Sequence, residues 1–171
     1  MSPEDLRALL PAVMQRAAGP GSLTAAHLGA MADLLAPAEA AIAGIDGWLD
    51  ARRAPAAFVP FLAGWVDLAR FAPERGSAGV RDPARLRDLA ANAGWLAHRR
   101  GTAAGLLRFL RLATGLDGFA LTERVDAGGR ARLHHVCVRY PAAAADQLDL
   151  VRAVVETAKP AHVTYDLAAA A

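Results

Sequence analysis

Apolar residues recur with heptad spacing between Leu28 and Leu49, at intervals that alternate between three and four residues. This spacing places them along one narrow side of an α-helix and is typical of helices that pack against other helices. The residues of this heptad seam are Leu28, Met31, Leu35, Ala38, Ile42, Ile45 and Leu49. Either helices of a partner or the core of the chain's own small domain would cover such a seam. Its length of about three heptads leaves both interpretations open.

The composition excludes several classes of protein. A chain of 171 residues, 54% of them hydrophobic, can form one globular domain or two small units. The 19 basic and 17 acidic residues nearly balance, unlike the polybasic surfaces of many nucleic-acid and membrane binders. Cys137 is the single cysteine, which excludes an internal disulfide and fits synthesis in the reducing cytoplasm. The longest apolar stretch, 54–66, is shorter than the roughly 20 residues of a membrane helix, so we expect no membrane insertion.

An aromatic segment with two prolines spans residues 54–68. It predicts short helical turns whose aromatic side chains, Phe58, Phe61 and Trp65, are buried. The following segment, 70–82, contains proline, two glycines and charges of both signs, which is typical of an exposed loop.

Two helices that meet at a tight corner are predicted after Asp82. Asp82 precedes a proline and is typical of a helix start, and this helix is expected to run to about Arg100. Gly101 fits a left-handed helix end. Thr102 fits the N-cap of a second helix, which ends near Gly115.

Beyond this second helix the apolar residues alternate with polar ones, as they do in strands. The pattern predicts a first strand, a turn at 126–129 and a return strand at 131–140. A helix at 143–159 and a strand at 161–167 follow. The last part of the chain is therefore predicted to be a small ββαβ unit.

The predicted fold class is α+β, with a predominantly helical N-terminal two thirds followed by the ββαβ unit. We divide the chain into three segments on this basis. They are 1–53 with the heptad seam, 54–115 with the packing segment and the helical corner, and 116–171 with the small α+β unit.

Residues with reactive or metal-binding side chains form no recognisable site. His134, His135 and Cys137 are close in sequence, but on a strand His134 faces away from the other two, and two ligands do not make a metal site. A nucleophilic pair of Cys137 with His135 or His162 lacks a motif for the orienting group and oxyanion hole. We therefore predict no catalytic, cofactor or metal site and expect that the protein is not an enzyme.

A helix-turn-helix regulator that binds DNA is the alternative function. The corner at 99–102, followed by Arg108 and Arg111, would supply a basic recognition helix. Against this, Asp82 and Asp117 flank the region and the second helix is mostly leucine, phenylalanine and alanine.

Three segments in a fixed order resemble the phage tail protein I type of baseplate component, which also occurs in contractile injection systems. These three blocks are 54–68 (APAAFVPFLAGWVDL), 99–115 (RRGTAAGLLRFLRLATG) and 159–167 (KPAHVTYDL). The resemblance extends from about Leu23 to Leu167. The order and spacing of the blocks are more specific than any single block.

The resemblance implies a structural subunit of the baseplate wedge, made in the cytoplasm and incorporated into a tail-like particle. It implies assembly around the tail tube with two copies of a larger wedge protein, through a coiled-coil-like helical bundle, and with other baseplate and sheath components. It implies no small-molecule substrate, cofactor or nucleic acid. The interface residues expected on this basis are Leu28, Met31, Leu35, Ile42, Ile45 and Leu49 of the seam and Arg99, Arg100, Gly101, Thr102 and Gly105 of the corner.

Overall fold

The computed structural model describes residues 1–170, which form two compact units. Unit 1 is Met1–Trp48 and unit 2 begins at Leu49. Most regular structure is helical, and a three-stranded sheet follows the helices, so the α+β prediction is confirmed. The division into three segments at 53 and 115 stays a prediction.

Unit 1 contains helices only. These are α1 (Pro3–Ala8), α2 (Ala12–Ala17), α3 (Leu23–Ala43) and α4 (Ile45–Leu49), whose last residue belongs to unit 2. The start of α1 is a capping box. The Ser2 hydroxyl accepts the Asp5 N–H at 3.2 Å and the Asp5 carboxylate accepts the Ser2 N–H at 2.6 Å. Pro11 then separates α1 from α2, because proline lacks the N–H that a helix interior needs.

The core of unit 1 forms where α1 packs against α3. Its buried residues are Leu6, Ala18, Leu28 and Ala32. The amino group of Met1 also pairs with the Glu39 carboxylate on α3. Leu28, the first residue of the heptad seam, is 5% exposed and so lies in the unit's own core.

Unit 2 continues with short helices and a sheet. The α-helices are α5 (Val59–Trp65), α6 (Pro83–Ala91), α7 (Ala93–His98), α8 (Ala103–Thr114) and α9 (Leu148–Ala158). Short 3₁₀ segments lie at Ala56–Phe58, Ala69–Phe71, Pro73–Ala78 and Ala142–Gln147. The helix predicted from Asp82 to about Arg100 is therefore two helices, separated at Asn92.

The segment 70–82 was expected to be an exposed loop, and this expectation is wrong for its buried residues, although 74–77 are exposed. Phe71 is fully buried, and the Val80 N–H donates to its carbonyl oxygen at 3.0 Å. The Phe71 ring packs edge-on against Phe109, with 5.1 Å between ring centroids. The proline and glycines of this segment form turns, and these turns place the apolar side chains of Phe71 and Val80 in the core of unit 2.

The expected burial of Phe61 and Trp65 is also wrong. Helix α5 places Val59, Leu62 and Ala63 in the interior. Phe61 and Trp65 are four residues apart on the opposite side and are 51% and 64% exposed. A helix of one or two turns can bury only one side, and here that side carries the smaller residues.

The sheet has the strand order β1-β2-β3, with β1 (Ala120–Val125), β2 (Ala131–Tyr140) and β3 (Thr164–Ala169). The strands β1 and β2 form the predicted antiparallel hairpin, and β3 lies parallel to β2 after the α9 crossover. The final strand lies later than the predicted 161–167. The buried side of α9 packs in one core with Val138 and α8 through Leu150, Val151, Val154 and Val155.

Replacing Phe71 with alanine should lower the free energy of unfolding by about 3–5 kcal/mol, because a buried aromatic ring is lost and a cavity remains. Phe61→Ala is the matched control and should cost about 1 kcal/mol or less, since that ring is half exposed. Urea unfolding followed by circular dichroism measures both. Equal losses for the two variants would contradict the burial of the 70–82 segment.

Candidate functional site

The three blocks found in the sequence meet around the corner between α7 and α8. The first contributes Asp67, the second Arg100 and Gly101, and the third Pro160. The first and third blocks, about ninety residues apart in the chain, thus both lie against the second block within unit 2. This corner and the heptad seam are the candidate interaction surfaces.

The turn of the corner is built on the carbonyl oxygen of Arg99. This oxygen accepts the Thr102 N–H at 3.2 Å and the Thr102 hydroxyl at 2.8 Å. The same hydroxyl oxygen accepts the Gly105 N–H at 3.0 Å and so caps α8, as predicted. A Cβ atom at position 105 would lie 2.1 Å from the Arg99 carbonyl oxygen, so only glycine fits there.

Gly101 joins the corner to the end of α9. Its backbone has a φ of 79°, in the left-handed region predicted for this position. Its N–H donates to the Ala158 carbonyl oxygen at 3.1 Å. A Cβ at this glycine would lie 3.6 Å from the Pro160 ring. The corner is therefore fixed to the segment that leads into β3.

Charged side chains from two blocks lie on the outside of the corner. Asp67 has carboxylate oxygens 3.8 Å from Arg70 and 3.9 Å from Arg100. Arg70 also donates to the Thr157 hydroxyl at 3.4 Å. All three charged groups are more than half exposed, so these pairs contribute little to stability and remain accessible.

The basic side chains of the corner interact with neighbours in the chain. The guanidinium groups of Arg99 and Arg108 lie 4.7 Å and 4.3 Å from the centroid of the Trp95 ring. Arg108 also donates to Asn92 at 2.7 Å, and Arg111 pairs with Asp117 at 2.9 Å. The DNA-binding alternative gains no support from this arrangement.

The seam residues other than Leu28 lie at the surface. Ile42 is 69% exposed, and Met31, Leu35, Ile45 and Leu49 are exposed as well. Gly44 ends α3 with a non-helical backbone, so Ile45 and Leu49 belong to α4 and continue the seam on a separate helix. That a partner covers these residues stays a prediction.

The heptad pattern missed Leu34, which is 80% exposed on α3. Its helical position lies beside that of Ile42 and Met31, so it widens the exposed apolar face. The available signal was that α3 is apolar around most of its circumference, with Asp33 and Glu39 as its acidic residues and no lysine or arginine. A seam confined to heptad positions does not describe such a helix.

The histidines of β2 do not come together in one site. His134 has a φ of 52° and is exposed, with its ring 5.4 Å from that of His162. His135 is buried, with Nδ1 2.7 Å from the Thr164 hydroxyl and Nε2 3.3 Å from an Asp166 carboxylate oxygen. Among residues 1–170, no three His, Cys, Asp or Glu side chains are placed to hold a metal ion.

Asp166 also joins β3 to the hairpin turn. Its carboxylate accepts the Ala127 N–H at 2.9 Å. This hydrogen bond, with smaller contributions from His135 and Arg132, holds the pKa of Asp166 below its usual value, and partial desolvation acts against the shift.

A family model described as "Phage tail protein (Tail_P2_I)" matches residues 23–162. The match includes α3, α4, the first two blocks and the start of the third. No curated protein matches the chain. Within the described part of the chain, no helix is both long and apolar enough to cross a membrane.

Gly105→Ala should lower the free energy of unfolding by about 1–3 kcal/mol, because the new methyl group overlaps the Arg99 carbonyl and forces the corner to shift. Gly94→Ala is the matched control. That helical glycine has open space around it, so alanine should leave stability unchanged or raise it by up to about 1 kcal/mol. Thermal unfolding of both variants distinguishes the two effects, and a neutral Gly105→Ala would contradict the packing of the corner.

The Asp166 interaction should depend on pH. Its folded pKa is below the unfolded value of about 3.8, so the ionised carboxylate stabilises the fold above that value. This contribution is lost as the pH falls through the lower, folded pKa. The stability difference between the wild type and Asp166→Asn should therefore be constant from about pH 5 upward and shrink below about pH 4. Urea titrations from pH 3 to pH 7 measure it, and a difference that grows on acidification would contradict this sign.

Proposed function

Because this chain belongs to the phage tail protein family Tail_P2_I, we propose that it is a structural subunit of the baseplate wedge in a contractile, tail-like injection system. Membership of the family supports a structural role in a tail and assembly with other tail components. The wedge position rests on the resemblance of the three blocks. In this proposal the protein acts through its interfaces and carries out no chemical turnover.

The partners in this proposal are two copies of a larger wedge protein, together with other baseplate and sheath components. Helices of the larger protein pack against the seam of unit 1 and complete a helical bundle. The trigger for sheath contraction then passes through the wedge as a change between two packings of the same interfaces.

The exposed apolar face of α3 and α4 is the observation that supports this proposal most directly. Its residues are Met31, Leu34, Leu35, Ile42 and Ile45. Full burial of one such side chain contributes about 1.5–3 kcal/mol, so a partner helix that covers several of them gains enough for stable association. Aliphatic side chains in neighbouring turns are also the surface that knobs-into-holes packing requires.

The corner supplies rigidity in this proposal. Gly105 and Gly101 tie α7, α8 and the end of α9 to one another through short backbone contacts. A subunit that transmits a displacement between neighbours needs such a stiff connection, because a flexible one would absorb the movement.

Ile42→Asp should weaken the complex with the larger wedge protein by at least about 2 kcal/mol, roughly 30-fold in affinity. The apolar contact is lost and a carboxylate is placed in the interface. Native mass spectrometry of the chain co-expressed with the larger wedge candidate from the same gene cluster measures the complex. The wild type should give one copy of this chain with two of the partner.

Ala40→Asp provides the matched control. Ala40 is exposed, and it lies on the opposite side of α3 from Ile42, about half a helical turn away. It adds the same charge outside the seam and should leave the complex intact. A wild-type chain that stays monomeric beside its partner would contradict the proposal. So would an Ile42→Asp variant that assembles as well as Ala40→Asp.

A further inference from the structure

We propose that unit 2 carries a second docking surface, the aromatic ridge formed by Phe58, Phe61, Trp65 and Val66. Its occupant in this proposal is an amphipathic segment of another tail protein, with apolar side chains toward the ridge and carboxylates at its border. The four ridge residues belong to unit 2, whereas the seam residues belong to unit 1 apart from Leu49, and the inference does not rest on the wedge role.

The ridge is a continuous stack of aromatic rings at the surface. The ring centroids of Phe58 and Phe61 are 4.9 Å apart, and those of Phe61 and Trp65 are 5.0 Å apart. Val66 extends the exposed apolar surface beyond Trp65. Contiguous exposed apolar groups are uncommon on soluble monomers and mark sites of interaction.

Phe58 packs in part against a buried cluster of unit 2, but the fold itself gives no reason for aromatic residues at Phe61 and Trp65. Helix α5 contributes Val59, Leu62 and Ala63 to the buried clusters of unit 2, and these are on its other side. Polar residues in place of Phe61 and Trp65 would leave those buried contacts intact. Large aromatic side chains that the core does not use are best explained by contact with another molecule.

A cleft beside Trp65 can accept apolar side chains. Its volume is about 270 Å³, and its lining residues include Leu49, Leu62, Trp65, Val66 and Ala90. The lining combines aliphatic side chains with the charged residues Asp50 and Arg52. A partner helix that lies along the ridge could insert a leucine or similar side chain into this cleft.

The charges around the ridge favour an acidic partner. Arg52 lines the cleft on one side of Val66, while Arg99 and Arg100 line a smaller one on the other. Arg70 is close to Arg100, because both pair with the Asp67 carboxylate. Four arginines and two aspartates thus border this surface, which leaves it with an excess of positive charge. Asp50 accepts the Arg52 backbone N–H at 2.9 Å, and Asp67 lies between two arginines. Tryptophan bordered by arginine is also the composition typical of interface hot spots.

Hydroxyl-radical footprinting of the full chain, free and within the purified tail assembly, tests the surface directly. Phe61 and Trp65 should be oxidised in the free chain and at least about fivefold less in the assembly. Ile42 reports the seam in the same experiment. If Ile42 is protected in the assembly and Trp65 is not, this inference is overturned and the proposed function stands. If Trp65 is protected and Ile42 is not, the proposed contact at the seam is overturned and this inference stands.

Charge-reversal variants test the chemistry of the occupant. Arg52→Glu and Arg100→Glu should each enter the assembly at least about fivefold less than the wild type, because they place like charges opposite one another. Arg130→Glu, at an exposed position after the hairpin turn, is the matched control and should enter normally. If all three variants enter equally, the acidic occupant is wrong.

A second copy of the chain is the remaining occupant to test. Footprinting of the isolated chain over a hundredfold range of concentration should leave the oxidation of Trp65 unchanged. Protection that rises with concentration would show that copies of the chain cover the ridge and would overturn the assignment to a different tail protein.

Discussion

The contact between the backbone of α8 and the Arg99 carbonyl oxygen is the constraint on which the arrangement of unit 2 depends. The contact requires a residue without a side chain at Gly105. It also lets the Thr102 hydroxyl donate to the Arg99 carbonyl oxygen while accepting the Gly105 N–H in the first turn of α8. The resulting direction of α8 brings its apolar side onto α9, where Leu110 and Val154 lie in the same core. The hydrogen bond from Gly101 to Ala158 then joins the corner to the end of α9, from which the chain leads into β3.

The two units expose apolar surfaces of different chemistry. The surface of unit 1 is aliphatic and lies on a segment, 23–48, that contains three carboxylates and no lysine or arginine. The ridge of unit 2 is aromatic and bordered by arginines. Surfaces that differ in this way select different partners, because shape and charge complementarity together decide which contact forms. A subunit that joins several components of a tail needs surfaces of different chemistry. The proposed contacts at the seam and at the aromatic ridge agree with that requirement.

The candidate site could be predicted in part. The corner residues were found because Gly101 and Thr102 have strong local preferences for a left-handed helix end and an N-cap. The heptad seam was found from periodicity, although Leu28 contributes to the unit's own core and Leu34 lies outside the pattern. The aromatic ridge was missed as a surface, because aromatic side chains in an apolar segment predict burial unless the packing of the helix is known. The contact between the three blocks was not predicted at all, since it depends on long-range packing.

By itself, the sequence determined the class of fold and the local ends of its elements. The Ser2 and Thr102 caps, the left-handed Gly101 and Gly115, and the hairpin turn before β2 depend on interactions within a few residues. Only the tertiary structure decided which apolar residues are buried. Phe71 and Trp65 have the same preference for an apolar environment, yet one lies in the core and the other at the surface. The hydrophobic effect is non-directional, so the side that a short helix buries is decided by the elements that pack against it.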